Sequence, residues 1–213
     1  MSAALFSREL KIQKLKYQFG EPVDHDLIEQ HLAALEKIDL NALNSDELKK
    51  SFWINCYNGL TNYWIIHFNI QHHMREVVDI FKKPRISVDA WSFSLDDIEH
   101  GILRQNARPQ FTQEDERRQF MVNQLDYRIH FALNCGAQSC PPLAYYDDQQ
   151  IEQQLQMAES SFVENAFLVN EQKQQIHCSS LFEWYREDFS SVYLNDPQYE
   201  NYKVILMPYD WSI

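Results

Sequence analysis

Glycine is scarce in this chain. Only four of the 213 residues are glycine, where average usage of about 7% would give roughly fifteen. Close backbone approaches and left-handed turns are therefore few, and each glycine marks a position with a reason behind it. One of them, Gly136, stands between two thiols. Cysteine is sparse as well. Cys56, Cys135, Cys140 and Cys178 are too few for the disulfide framework of a small secreted domain, and they lack the paired Cys-x-x-Cys spacing of a structural zinc site. No apolar run approaches the roughly 18 residues a membrane span needs. The most apolar stretch, Phe52 to Ile70, is broken by Asn55, Asn58, Asn62 and His67, which predicts a buried helix. Positive charge is also short: 19 Lys and Arg stand against 31 Asp and Glu, for a net charge of −12. Such a field repels phosphate backbones and anionic lipid, so nucleic acid is excluded as an expected partner. The basic patch Lys82-Lys83-Pro84-Arg85 is too short to reverse it. The first ten residues carry no basic region followed by an apolar run. As it stands the chain is expected in the cytoplasm, and in an exported compartment only if a leader has been removed.

The periodicities that are present point to helices with a little sheet. Leu27, Leu32, Leu35 and Ile38 recur at helical spacing over Asp24–Ile38, and a second helix is expected from near Ser45 to Asn69. Ile86 to Phe93 alternates like a hairpin around Asp89-Ala90. Ser94 and Asp97 have capping-box spacing at the head of a helix running through Arg104. Residues 105–124 read as a loop with one helical turn. A strand is expected over 128–134, a helix over Asp147–Ala166, a strand pair at 168–170 and 175–178, a helix at 181–189 capped by Ser180, and a final strand at 204–207. The fold class is α+β, mainly helical with a small mixed or antiparallel sheet. Residues 1–44 are expected as a helical segment packed on a single compact domain, 45–213.

Three groups of residues carry chemistry. Asn55, Asn58 and Asn62 form a stripe of amides on an otherwise greasy helix. A buried amide costs about 1–3 kcal/mol unless its hydrogen bonds are met, so the stripe is either a network holding loop backbone or the wall of a pocket. Asp97, His100 and Arg104 share one face of the capped helix, where a carboxylate can fix a histidine tautomer or the residues can simply be a solvated charged face. The densest group is Asp126–Leu143. Its expected strand holds His130, and the loop after it holds Cys135, Gly136, Ser139, Cys140 and Pro141-Pro142. Strand parity puts Cys135 and His130 on opposite faces, so a partner from another element is needed to activate either thiol. Packing of Cys135 as a small hydrophobe, a Cys135–Cys140 disulfide, or a metal held by His130 and the two thiols all stay open. Cys56 is expected in the core, His72-His73 in solvent, and Tyr145-Tyr146 and Tyr209-Asp210-Trp211 as surface closure.

Four blocks resemble one family. These are Phe52-Trp53-Ile54-Asn55-Cys56-Tyr57-Asn58-Gly59-Leu60, then Ser94-Leu95 with Ile98-Glu99-His100 and Ile102-Leu103-Arg104. The most distinctive is His130-Phe131-Ala132-Leu133-Asn134-Cys135-Gly136-Ala137 with Ser139-Cys140-Pro141-Pro142, and the last is Tyr209-Asp210-Trp211-Ser212. Together they resemble the bacterial and plant family carried as domain of unknown function 547, from about Ser45 to the end of the chain. The sequence departs at Gly59, more often alanine in the family, and at Asn134. The resemblance implies a shared pocket built from these blocks and no particular reaction. The expectation is a cysteine-dependent hydrolase or transferase acting on an acyl or amide bond. Cys135 or Cys140 would be its nucleophile, His130 or His100 its base, and Asn55, Asn58, Arg104 and Ser139 its binding groups. The alternatives are a non-catalytic domain binding a small molecule or peptide, and a thiol redox or metal site. No cofactor is implied.

Overall fold

The computed structural model describes residues 2–142 and 144–213; Leu143, at the end of the cysteine loop, lies outside the described residues. The architecture is α+β. Helix α1 (Ala3–Gln18) and helix α2 (His25–Leu35) precede the long central helix α3 (Asp46–His67). Asp24 caps α2 through the Leu27 N–H, and Ser45 caps α3 through the Leu48 N–H, which satisfies one orphan donor in each first turn. Helix α3 is buried on all sides: Trp53, Ile54, Cys56, Leu60 and Ile65 are each fully buried. Among the described residues no helix is long and apolar enough to cross a membrane.

Helix α1 lies against α3 at Gly59. A side chain on Gly59 would collide with the Phe6 ring and come within 3.2 Å of the Ser7 backbone. The hairpin is present as β1 (Ile86–Val88) and β2 (Trp91–Phe93), with Asp89 at φ 55° in the turn. Its β2 strand leads into the Ser94–Asp97 capping box, in which each residue's side chain accepts the other's N–H, at 2.9 and 3.1 Å.

The box opens a π-helix, Asp97–Leu103, rather than the expected α-helix. The Arg104 N–H reaches back five residues to the Glu99 carbonyl at 2.9 Å, and such wide turns recur at functional sites. All seven residues of the π-helix are buried.

The strand expected over 128–134 is absent. Tyr127–Phe131 is a 3₁₀-helix capped by Asp126, whose carboxylate accepts the Arg128 N–H at 3.1 Å. Five consecutive residues, Ile129 to Leu133, are buried. The polar and apolar alternation in the sequence therefore does not sort the side chains by face, and with it falls the parity argument that set Cys135 against His130. The turn instead bridges two apolar clusters. Ile129 packs into the cluster around α3, and Phe131 into a second with Phe182 and Phe189. His130 is pinned between them.

Helix α4 (Ile151–Ala166) leads into a three-stranded mixed sheet. In it β3 (Phe167–Asn170) pairs antiparallel with β4 (Gln175–Ser179), and β5 (Lys203–Met207) pairs parallel with β4. The expected 181–189 helix is split into α5 (Leu181–Trp184) and a 3₁₀ turn, Arg186–Phe189. Ser180 does not cap it. The Ser179 hydroxyl accepts the Leu181 N–H instead, at 3.3 Å.

Candidate functional site

A cleft of about 680 Å³ opens where the π-helix, the 3₁₀ turn, the cysteine loop, α5 and the C-terminal tail meet. Cys135, Cys140, His100 and His130 all border it. The other four candidates, Asn55, Asn58, Arg104 and Ser139, do not. They stand behind the wall and hold it.

Asn58 donates to the Ala132 carbonyl at 3.0 Å and accepts the Asn134 N–H at 2.8 Å, so α3 grips both ends of the turn that enters the cysteine loop. Asn55 does the same for Tyr146, at 2.7 Å to its carbonyl and 3.2 Å from its N–H. Asn134, one of the departures from the family pattern, ties the loop internally, to the Gly136 N–H at 2.9 Å and the Pro141 carbonyl at 2.8 Å. Gly136 has φ 92°, a region side chains avoid, and packs within about 3.1–3.4 Å of Ile65, Met74 and Thr61 measured from where a Cβ would lie. Ser139 is stitched to the tail. Its N–H donates to the Asp210 carbonyl at 3.2 Å, and its hydroxyl accepts the Asp210 N–H at 2.8 Å.

That tail is not surface closure. Tyr209 and Trp211 border the cleft, and the Tyr209 hydroxyl lies 3.3 Å from the Cys140 sulfur and 3.6 Å from that of Cys135. Tyr146 is likewise buried. The tail also reaches His72, whose carbonyl accepts the Ile213 N–H at 2.9 Å.

All four cysteines are free thiols. The two in the loop are unlike each other. The Cys140 sulfur accepts the Cys135 backbone N–H at 3.1 Å. Hydrogen bonding from the Cys135 thiol, with that N–H and the Tyr209 hydroxyl, outweighs burial and brings the Cys140 thiol down to about 7. The same thiol–thiol bond, with burial, pushes Cys135 well above its ordinary value. Cys140 is therefore the thiol of the pair that ionises more readily, and thiolate is the reactive form. Cys56 and Cys178 are buried among apolar neighbours, and burial raises both.

The two imidazoles hold their protons by different means. His130 Nε2 lies 2.7 Å from Asp188 Oδ2. Burial opposes ionisation of Asp188, but hydrogen bonds from His130 and Arg104 bring it down to about 2. A carboxylate only accepts, so Nε2 carries the proton and Nδ1 keeps its lone pair. His100 Nδ1 lies 3.1 Å from Arg104 Nη1 and 3.6 Å from Glu99 Oε1. The guanidinium contact is the shorter one, and a guanidinium only donates. His100 is thus protonated on Nε2 and accepts on Nδ1. Burial lowers the pKa of both rings, which keeps them neutral.

Arg104 is fully buried and committed to Asp188 through Nε at 2.5 Å and Nη2 at 3.0 Å, with Glu187 at 2.9 Å. The basic side chains that border the cleft are instead Arg75, Lys82 and Arg108. Asp97, expected beside His100, turns the other way to Arg85 at 2.6 Å and Arg117 at 3.3 Å. The neighbour of His100 is Glu99. Its pKa is lowered even so, against burial, and the Tyr185 hydroxyl donates to the carboxylate from 2.6 Å away.

Sequence reasoning did not find Asp188, Glu99, Tyr185 or Tyr209. Glu99 and Tyr209 lie inside the family-like blocks and were visible there. Asp188 and Tyr185 carried no local signal, since Asp188 meets His130 across 58 residues and Tyr185 stacks on that ring at 4.0 Å.

The family model described as "Protein of unknown function, DUF547" matches residues 40–163. That span takes in the central helix, the π-helix and the whole cysteine loop. No curated protein and no solved structure matches the chain.

Proposed function

The chain belongs to the family described as "Protein of unknown function, DUF547", a description that names no reaction, and from the chemistry of its cleft we propose that it is a cysteine-dependent acyl hydrolase or transferase. The observation that carries this reading is the Cys140 sulfur, which accepts the Cys135 N–H and the Tyr209 hydroxyl on a cleft wall shared with two neutral imidazoles.

In this reading the Cys140 thiolate adds to the acyl carbon of an ester, thioester or amide. The carbon–sulfur bond forms, the bond to the leaving group breaks, and the leaving group takes a proton from water. His130, with Nδ1 free, then takes a proton from the incoming water or amine as it attacks the thioester, the carbon–sulfur bond breaks to release the Cys140 thiolate, and His130 passes its proton to the hydroxide left by the first step. Asp188 fixes the His130 tautomer for that task, as the third member of a triad does. His100 offers Nε2–H to the oxygen on which negative charge builds.

The test is the rate of iodoacetamide alkylation of each cysteine against pH, read by peptide mass spectrometry, with p-nitrophenyl acetate as an acyl donor. Cys140 is expected to alkylate with a midpoint of about 7 and to hold an acetyl adduct that Cys140→Ser abolishes. A Cys140 midpoint near the free-thiol value of about 8.5, with no adduct on it, overturns the proposal.

A further inference from the structure

The acids around the cleft are almost all engaged. Glu99 takes the Tyr185 hydroxyl, Asp97 takes Arg85 and Arg117, and Asp188 takes His130 and Arg104. Asp96 is the exception. The residue is 8% exposed and borders the cleft, yet its carboxylate has no hydrogen-bond or ion-pair partner among the described residues. Only its backbone is fixed, by the N–H donating to the Phe81 carbonyl at 2.8 Å. An unpaired carboxylate in a protein wall is costly, and burial, with Glu99 and Asp97 nearby, pushes its proton affinity up against the opposing pull of Lys82 and of His100 when that ring is charged. A cation arriving in the cleft removes that cost.

The surroundings say which kind of cation. A hard metal ion asks for several oxygen ligands, and among the described residues no three His, Cys, Asp or Glu side chains group as a metal set. The cleft that Asp96 borders is also lined by aromatic side chains, those of Tyr57, Phe81, Tyr185 and Trp184, with Phe81 tied to Asp96 through its carbonyl. A carboxylate in an aromatic-lined cleft suits an organic ammonium, which pairs with the acid and lays its C–H and N–H groups on ring faces.

We propose that Asp96 recognises an organic ammonium group on the substrate, so that the cleft takes amine-bearing acyl compounds, of the aminoacyl or basic-peptide kind. The identity of the bond attacked rests on the acyl-transfer reading. The ammonium site does not.

The experiment uses methanethiosulfonate reagents of different charge, read at Cys140 of the intact protein by peptide mass spectrometry. The reagents are aminoethyl (cationic), sulfonatoethyl (anionic) and methyl (neutral). In the unaltered protein the cationic reagent is expected to outpace the anionic one, despite Arg75, Lys82 and Arg108 on the cleft wall. Asp96→Asn is expected to cut the cation-to-anion rate ratio by about tenfold, a typical size for a charge focused in a cleft, while leaving the neutral reagent's rate unchanged. An unchanged ratio overturns the proposal. If that variant does not fold, protection decides with the unaltered protein. Benzylamine should shield Cys140 from the methyl reagent where benzyl alcohol does not, and equal shielding by the two, or none, overturns the ammonium site. A charge preference that Asp96→Asn removes, at a Cys140 no more reactive than a free thiol, would leave the ammonium site standing and remove the acyl-transfer reading.

Discussion

Asp188 accepts from His130 with one oxygen and from Arg104 with both, so one side chain sets a tautomer and neutralises a fully buried guanidinium. Oδ2 serves His130 Nε2–H and Arg104 Nε–H together, so an Asp188→Asn amide that keeps its oxygen there holds the tautomer and turns its NH₂ on Arg104 Nη2, which has no lone pair to offer. Imidazole nitrogen chemical shifts should therefore report Nε2–H in the unaltered protein and in Asp188→Asn, and lose that preference in Asp188→Ala, where no acceptor remains for the ring. Stability should fall by about 3 kcal/mol in either variant, because the buried guanidinium keeps only Glu187 as a counter-charge. An unmoved ring proton in Asp188→Ala would show that Asp188 does not set the tautomer. Nothing in the local sequence announced this carboxylate. Its neighbours Glu187 and Phe189 give no motif, and its role exists only because the 3₁₀ turn and the 186–189 turn meet in space. The cysteines and histidines were legible because their chemistry is rare in the sequence. Asparagine was legible as a polar group in an apolar helix, with a network holding loop backbone as one of its two readings, and Asn55 and Asn58 form that network.

At the scale of elements, those with their own caps were readable. Ser45 opens α3, Asp24 opens α2, and Ser94 with Asp97 opens the π-helix, since a cap is a short-range event between residues two or three apart. The 128–134 segment was misread because period two is a strand signal only where one face meets solvent, and here both faces are buried. The π-turn was invisible as well: Ile98 and Ile102, both buried, stand four apart, the spacing of an ordinary α-helix. The α1–α3 contact makes a sharper prediction. By propensity alone Gly59→Ala in mid-helix should stabilise α3 by up to about 1 kcal/mol. The Phe6 ring and the Ser7 backbone occupy the space a methyl needs, and overpacking costs about 1–3 kcal/mol. Packing should win. Thermal melts should show Gly59→Ala destabilised, and Phe6→Leu with Gly59→Ala less destabilised than the two changes summed. A more stable Gly59→Ala would mean that α1 is free to shift off α3.

At the scale of the whole molecule, the cleft sets how stability answers to acid. His130 and His100 are held below their ordinary value by burial, so as pH falls below about 6.5 the unfolded chain takes up protons that the folded one refuses, and stability drops. Asp188 is held down at about 2, so its contribution is present above the unfolded value of about 3.9 and is lost as pH falls from there toward 2. Asp96 works in the opposite direction. Burial raises its folded value, so the ionised carboxylate lowers stability at neutral pH, and acid relieves that penalty as pH falls through the raised value. Stability measured by denaturant midpoint should therefore decline from about pH 6.5, be partly offset while Asp96 takes its proton, and decline again below about 3.9. Asp96→Asn separates these effects. It should raise the midpoint at neutral pH, where an unpaired buried charge has been removed, and erase the offset at lower pH without touching the last decline. A side chain whose loss stabilises the fold is one retained for something other than the fold, and the ammonium site gives it that use. A midpoint that falls at neutral pH in Asp96→Asn would mean instead that Asp96 already has a partner within the folded chain.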